Sequence, residues 1–157
     1  MTPTNPLTSI NPLTRDRPIT AGKAALLVVD MQNGTCGPEE AARRPEFHAA
    51  LTSRVIPNIG QLLSAFRSAQ LEVIYTVIEN LTADGRDRSL DYKISYMGFL
   101  IVSPEAQVIP VLAPQNDEFV LPKSSSSVFN STTLDYLLRN LGIEDLFVAG
   151  CLTDQCI

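Results

Sequence analysis

The apolar positions of this chain fall into two periods, short unbroken runs and longer stretches of helical spacing. Residues 24–29 (Ala-Ala-Leu-Leu-Val-Val) and 146–149 (Leu-Phe-Val-Ala) are continuous apolar runs with turn chemistry beside them. Such runs predict strands buried on both faces of a parallel sheet. Residues 71–78 (Leu-Glu-Val-Ile-Tyr-Thr-Val-Ile) predict another strand by their β-branched content, and Phe119 to Leu121 a further one. Between them, Val55, Ile56, Ile59, Leu62, Leu63, Phe66 and Ala69 recur at helical spacing. This predicts an amphipathic helix covering the sheet, with Pro57 tolerable only in its first turn. A second helix carries the stripe Leu134, Leu137, Leu138 and Leu141, capped by Asn130 or Ser131 and closed by Gly142. Residues 104–112 are expected to hold a short helix. The strand–helix–strand order implies right-handed crossovers and parallel pairing, hence an α/β fold.

Composition narrows the function classes. The 157 residues suit one domain with a real core, preceded by a Pro-, Thr- and Asn-rich flexible arm over residues 1–20. Net charge is −5, with 12 Lys and Arg against 17 acids and no basic run, which argues against a nucleic-acid surface. No stretch approaches the roughly 18 apolar residues of a membrane span. Three cysteines without framework spacing point to a reducing, cytoplasmic setting.

The chemistry gathers where the predicted strands end. The run 24–29 ends in Asp30-Met31-Gln32-Asn33-Gly34, the third in Pro122-Lys123, and the last in Gly150-Cys151-Leu152-Thr153-Asp154-Gln155-Cys156. Parallel sheets place ligand sites beyond the carboxyl ends of their strands, so a carboxylate, an ammonium and a thiol are brought to one crevice. Thr153 or Asp154 would cap a helix beginning at once, with Cys156 in its first turn, where free N–H groups and the helix dipole favour thiolate. On local sequence Cys156 is either a nucleophile or a half-buried structural thiol. Base, cation and nucleophile together form a covalent hydrolase design.

In Val28-Val29-Asp30-Met31-Gln32, Leu121-Pro122-Lys123 and residues 150–157, the chain resembles the isochorismatase-like cysteine hydrolases. That family includes nicotinamidases, N-carbamoylsarcosine amidohydrolases and ureidoacrylate amidohydrolases. The resemblance, from Lys23 to the end, implies a three-layer α/β/α fold of Rossmann type around a mainly parallel sheet. It also implies roles: Asp30 as general base, Lys123 as the cation that holds and tunes it, and Cys156 as nucleophile. A non-proline cis peptide at Cys151–Leu152 would aim the Leu152 N–H, with that of Cys156, at an oxyanion. The implied reaction is hydrolysis of a small amide, carbamoyl or ureido C–N bond through a thioester. Vinyl-ether cleavage of isochorismate, or an inactive binding or assembly subunit, is the alternative. Family members continue past the position of Ile157 and are commonly oligomeric, so the chain is expected to be C-terminally truncated and to form homo-oligomers.

Other residues are weighed beside these. Gln32 would hydrogen-bond substrate or the site's backbone by resemblance, or face water. In the charged segment 79–103, Arg86, Arg88 or Lys93 could anchor a substrate carboxylate, against the plainer reading of a solvated loop. Cys36 is read as an incidental loop thiol and His48 as a surface residue. The nicotinamidase branch holds a divalent metal with an Asp and two His; this chain has one His, and the Cys151, Cys156 spacing is poor for zinc. No metal or cofactor is expected. A thiol redox pair of Cys151 and Cys156 is the remaining reading, with a spacing wider than the usual C-x-x-C.

Overall fold

A computed structural model of the chain describes residues 18–157; residues 1–17 of the expected arm lie outside the described residues. In chain order the elements are β1 (Ala24–Val29), α1 (Asn33–Cys36), α2 (Glu39–Arg43), α3 (Pro45–Ala50), α4 (Ile56–Ser68) and β2 (Glu72–Ile78). Then come α5 (Leu90–Ile94), β3 (Phe119–Lys123), α6 (Val128–Ser131), α7 (Leu134–Asn140) and β4 (Asp145–Gly150). Short 3₁₀ turns at Pro104–Ala106 and Pro110–Leu112 stand where one short helix was expected.

All strand pairings are parallel, in the order β3-β2-β1-β4. β1 is flanked on both sides, and its alternating side chains feed two cores. Ala24, Leu26 and Val28 pack with Ile59, Leu63 and Phe66 of α4, whereas Ala25, Leu27 and Val29 pack with Leu134, Leu137 and Leu138 of α7. This period-2 division produces the three-layer α/β fold. Fully burying each of these Leu or Ile side chains stabilises by roughly 1.5–3 kcal/mol, so the two faces of β1 are the main stabilising contact of the domain.

The predicted helix from Val55 begins earlier than its stripe. α3 runs into a π-helical segment, Leu51–Val55, before α4, and Ile56 N donates to Leu51 O five residues back. Pro57 is the physical reason: it has no N–H, and its ring would collide with the Ser53 carbonyl of an unbroken α-helix, so the turn ahead of it widens. Leu62 of the predicted stripe faces outward.

Two further expectations are corrected. α7 does not start from Asn130 or Ser131, because α6 already occupies residues 128–131; its N-cap is Thr133, which makes no side-chain capping bond, and Thr132 Oγ1 accepts from Leu134 N at 3.1 Å. Its end is as predicted: Gly142 sits at φ +67°, with Gly142 N donating to Arg139 O and Ile143 N to Leu138 O, a Schellman closure. β4 is not buried on both faces: among the described residues it pairs with β1, and Phe147 and Val148 are 38% and 44% exposed.

Register places the strand ends. Val29 stands beside Thr76 and Gly150, and Ile78 beside Lys123, so Asp30, Lys123 and the 151–156 loop leave the sheet at one edge. β1 has its sequence neighbour β2 on one side and β4 on the other. That reversal is the topological switch point where α/β sheets open a crevice.

Candidate active site

Asp30 is the first residue past β1, and its N–H still donates to Thr76 O at 3.1 Å, continuing the sheet. Its backbone then turns at φ +54°, a conformation Asp tolerates better than most residues. The side chain is almost fully buried. Thr76 Oγ1 donates to Oδ1 at 2.8 Å, and Lys123 Nζ lies 2.9 Å from Oδ2. Thr76 was missed in sequence, where its β-branch served only as a strand signal; a lone hydroxyl in an apolar central strand was the available clue.

Lys123 closes β3 with its side chain wholly buried. Nζ donates to Tyr92 Oη at 3.0 Å, to Ser125 O at 3.1 Å and to Ser126 O at 3.4 Å, and it lies 3.4 Å from Cys156 Sγ. The serine run therefore contributes backbone carbonyls that replace water around the ammonium. Burial opposes the charge, but the Asp30 carboxylate and the Tyr92 hydroxyl outweigh it and hold the amine above the ordinary lysine value.

Cys156 stands at the third strand end, half-buried. Burial and, next, the Asp30 carboxylate push its thiol up, against the pull of Lys123. The expected helix start is absent: residues 153–156 form turns, with Gln155 N and Ile157 N both donating to Leu152 O. The sulfur's charged and polar neighbours include side chains from other elements, Lys123 at 3.4 Å and Tyr92 at 3.8 Å. The Cys151–Leu152 peptide is cis. Among the described residues, the Leu152 and Cys156 N–H groups donate to no backbone acceptor.

Gly150 brings the loop in. A Cβ there would sit 2.2 Å from Val29 O, so only glycine lets the ends of β4 and β1 approach this closely. Cys151 Sγ reaches back to Asp30 O at 3.7 Å, and Cys36 Sγ approaches the same oxygen at 4.0 Å. Cys36, read as an incidental loop thiol, ends the short helix α1 and is a buried thiol beside Cys151.

A cavity of about 420 Å³ opens over Asp30, Leu152 and Cys156. Phe47, Tyr96, Met97 and Phe99 supply apolar wall, and Arg43 and Arg44 stand at its far side. Both guanidiniums are held by buried Glu40, Arg43 Nη1 at 2.9 Å and Arg44 Nε at 2.5 Å. Gly34 makes room for Phe99, whose ring lies where a Cβ would be, 2.4 Å away.

Of the weaker candidates, Gln32 is fully buried and spends its amide on backbone. Nε2 donates to Ile78 O and Glu105 O, both at 3.0 Å, and Oε1 accepts from Ile78 N at 2.5 Å. Arg86 turns to Asp84 at 3.1 Å, Lys93 Nζ donates to Arg86 O at 2.9 Å, and Arg88 Nη1 to Met97 O at 3.1 Å. Neither Arg86 nor Lys93 lines the cavity. With Tyr92 turned inward on α5, a helical step of about 100° per residue carries Lys93 away from the site. The cations at the cavity come from α2 and the residue after it. Tyr92 is the polar contact that sequence missed; its one signal was an aromatic set in an otherwise charged insertion. Among the described residues no three His, Cys, Asp or Glu side chains converge as a metal-ligand set, and no helix is long and apolar enough to cross a membrane.

A family model described as "Isochorismatase domain" matches residues 24–157. Ureidoacrylate amidohydrolase RutB of Pantoea ananatis (strain LMG 20103) is 31% identical over 156 residues, covering 88% of this chain and 62% of that protein. The enzyme of the same description from Serratia proteamaculans is also 31% identical, covering 86% of this chain and 61% of its own. The chain thus spans about six-tenths of the length of these curated relatives. A cysteine hydrolase from Pseudomonas syringae pv. phaseolicola superposes with a TM-score of 0.76 at 31% identity, over 94% of this chain and 67% of its own. N-carbamoylsarcosine amidase from Thermoplasma acidophilum gives a TM-score of 0.68 at 25% identity, over 86% and 71%.

Proposed function

The chain belongs to the isochorismatase family, and from that premise we propose that it is a cysteine-dependent hydrolase of a small amide, carbamoyl or ureido C–N bond. The observation that carries the reading is the position of Lys123 Nζ, 2.9 Å from the Asp30 carboxylate and 3.4 Å from the Cys156 sulfur. Base, cation and nucleophile from three strand ends meet there at contact distance.

In the proposed reaction Asp30 takes the Cys156 thiol proton as the sulfur attacks the substrate carbonyl. The Leu152 and Cys156 N–H groups stabilise the tetrahedral oxyanion. As it collapses, the C–N bond breaks and the leaving nitrogen receives the proton from Asp30. Water, deprotonated by Asp30, then cleaves the thioester and restores the thiol. Lys123 offsets the charge on Asp30 throughout. A single site lined by carboxylate, amine and thiol favours acyl transfer over vinyl-ether cleavage, because the latter has no use for a nucleophilic sulfur.

The first substrates to try are 3-ureidoacrylate and N-carbamoylsarcosine, those of the named relatives. Ammonia release would be followed for the native chain, Cys156→Ala and Asp30→Asn, with mass spectrometry of the quenched reaction. A covalent adduct on Cys156, and loss of turnover by a factor of at least about 10³ in either variant, are expected. Full turnover in Cys156→Ala would falsify the covalent mechanism.

A further inference from the structure

We infer that Tyr92 is a positioning residue of the same site, whose phenol O–H donates a hydrogen bond to the Cys156 sulfur while accepting one from Lys123. The inference rests on the reading of Cys156 as nucleophile and adds a fourth group to it.

The geometry comes first. Tyr92 Oη lies 3.8 Å from Cys156 Sγ, within reach of a sulfur hydrogen bond, and 3.0 Å from Lys123 Nζ. An ammonium only donates, so the phenol oxygen is the acceptor of the lysine bond. Its own proton is then free to point at the sulfur. A donor that is itself hydrogen-bonded by a cation is polarised and donates more strongly. The O–H bond stays intact; the thiol proton goes to Asp30.

Placement is the second observation. Tyr92 is 5% exposed, although its neighbours on α5, Leu90 and Ile94, are 72% and 69% exposed. The start of the helix is tied to the serine run just ahead of Tyr92: Ser89 N donates to Ser124 O at 2.9 Å, and Ser126 Oγ to Asp91 Oδ2 at 2.8 Å. Ser126 thus both accepts from the lysine and holds the turn that carries the tyrosine. Burial pushes the phenol up to about 12, so it remains a donor through the neutral range.

The groups facing the sulfur are Asp30 from β1, Lys123 from β3, Tyr92 from α5 and, within its own loop, Cys151 with Cys36 behind it. Of these, Asp30 disfavours thiolate, whereas Lys123 and Tyr92 favour it. Removing the Tyr92 donor should therefore raise the pH at which Cys156 ionises.

The test is the rate of iodoacetamide alkylation at Cys156 against pH, read by peptide mass spectrometry on the whole chain, for the native protein and Tyr92→Phe. A hydrogen bond to a charged group predicts a midpoint about one pH unit higher in Tyr92→Phe, and about tenfold slower labelling below it. A second variant carries 3-fluorotyrosine at position 92, which keeps the shape and makes the phenol a stronger donor; its midpoint should move down. Shifts in those opposite directions support the inference. Coincident profiles for a folded Tyr92→Phe, or a 3-fluorotyrosine midpoint that does not move, overturn it. Neither readout needs turnover, so failure of the hydrolase reading in Cys156→Ala is seen separately.

Discussion

Lys123 is the residue on which the site's energetics turn. Its ammonium is out of water and held by a carboxylate, a phenol and two serine carbonyls, so removing it leaves the buried Asp30 carboxylate without a cation, with the neutral Thr76 hydroxyl and Cys156 thiol beside it. Breaking one half of a buried pair costs about 3–5 kcal/mol, whereas removing both halves costs less. Chemical denaturation of Lys123→Met should show a loss of that size. The double variant Asp30→Asn, Lys123→Met should recover part of it. Equal losses in both would mean that the two charges do not stabilise each other.

The candidate site is built from strand ends, and Gly150 sets how closely two of them meet. Its φ of +145° and the 2.2 Å gap between a built Cβ and the Val29 carbonyl leave no space for a side chain. The obstacle is backbone, which cannot swing away as a flexible side chain would. Gly150→Ala is expected to cost on the order of 3 kcal/mol and to displace residues 151–156 from Asp30. A thermal melt gives the first quantity, and the alkylation rate of Cys156 the second; an unchanged melting temperature would contradict the close approach. Much of this level was legible in advance. The unbroken run 24–29 and the β-branched run 71–78 became adjacent parallel strands, and Gly142 closed α7, because burial, branching and left-handed turns are properties of neighbouring residues. The start of α7 after Thr133 and the widened turn before Pro57 were not foreseen, since each depends on where the preceding element stops.

Across the whole molecule, buried phenols couple the fold to alkaline pH. Burial raises both Tyr75 and Tyr92 from 10.0 to about 12. Tyr75 Oη also accepts from Arg67, which pairs with Glu118 and so joins α4 to the loop before β3. In an unfolded chain these phenols ionise near their ordinary value, so the folded state is favoured by keeping them neutral. That contribution is complete below pH 10 and is lost as the pH rises towards 12; the raised Lys123 acts in the same direction. Far-ultraviolet circular dichroism with tyrosinate absorbance should show unfolding accompany the ionisation of Tyr75, assigned by difference with Tyr75→Phe. Ionisation of Tyr75 near pH 10 in an intact fold would refute this account.

The sequence by itself determined the strands β1 to β4, the helices α4 and α7 and which residues end the strands, because these follow from local period and turn chemistry. It placed Asp30, Lys123 and the Gly150–Cys156 loop at strand ends, and a parallel sheet has only one carboxyl edge at which such ends can gather. Tertiary structure alone decided what surrounds them. Tyr92 reaches the sulfur across 64 residues of chain, and Thr76 reaches Asp30 across 46. Arg43 and Arg44, not Arg86 or Lys93, supply the cations at the cavity. These are contacts between distant segments, and no local pattern records which of several equally polar side chains a packed chain will turn inward.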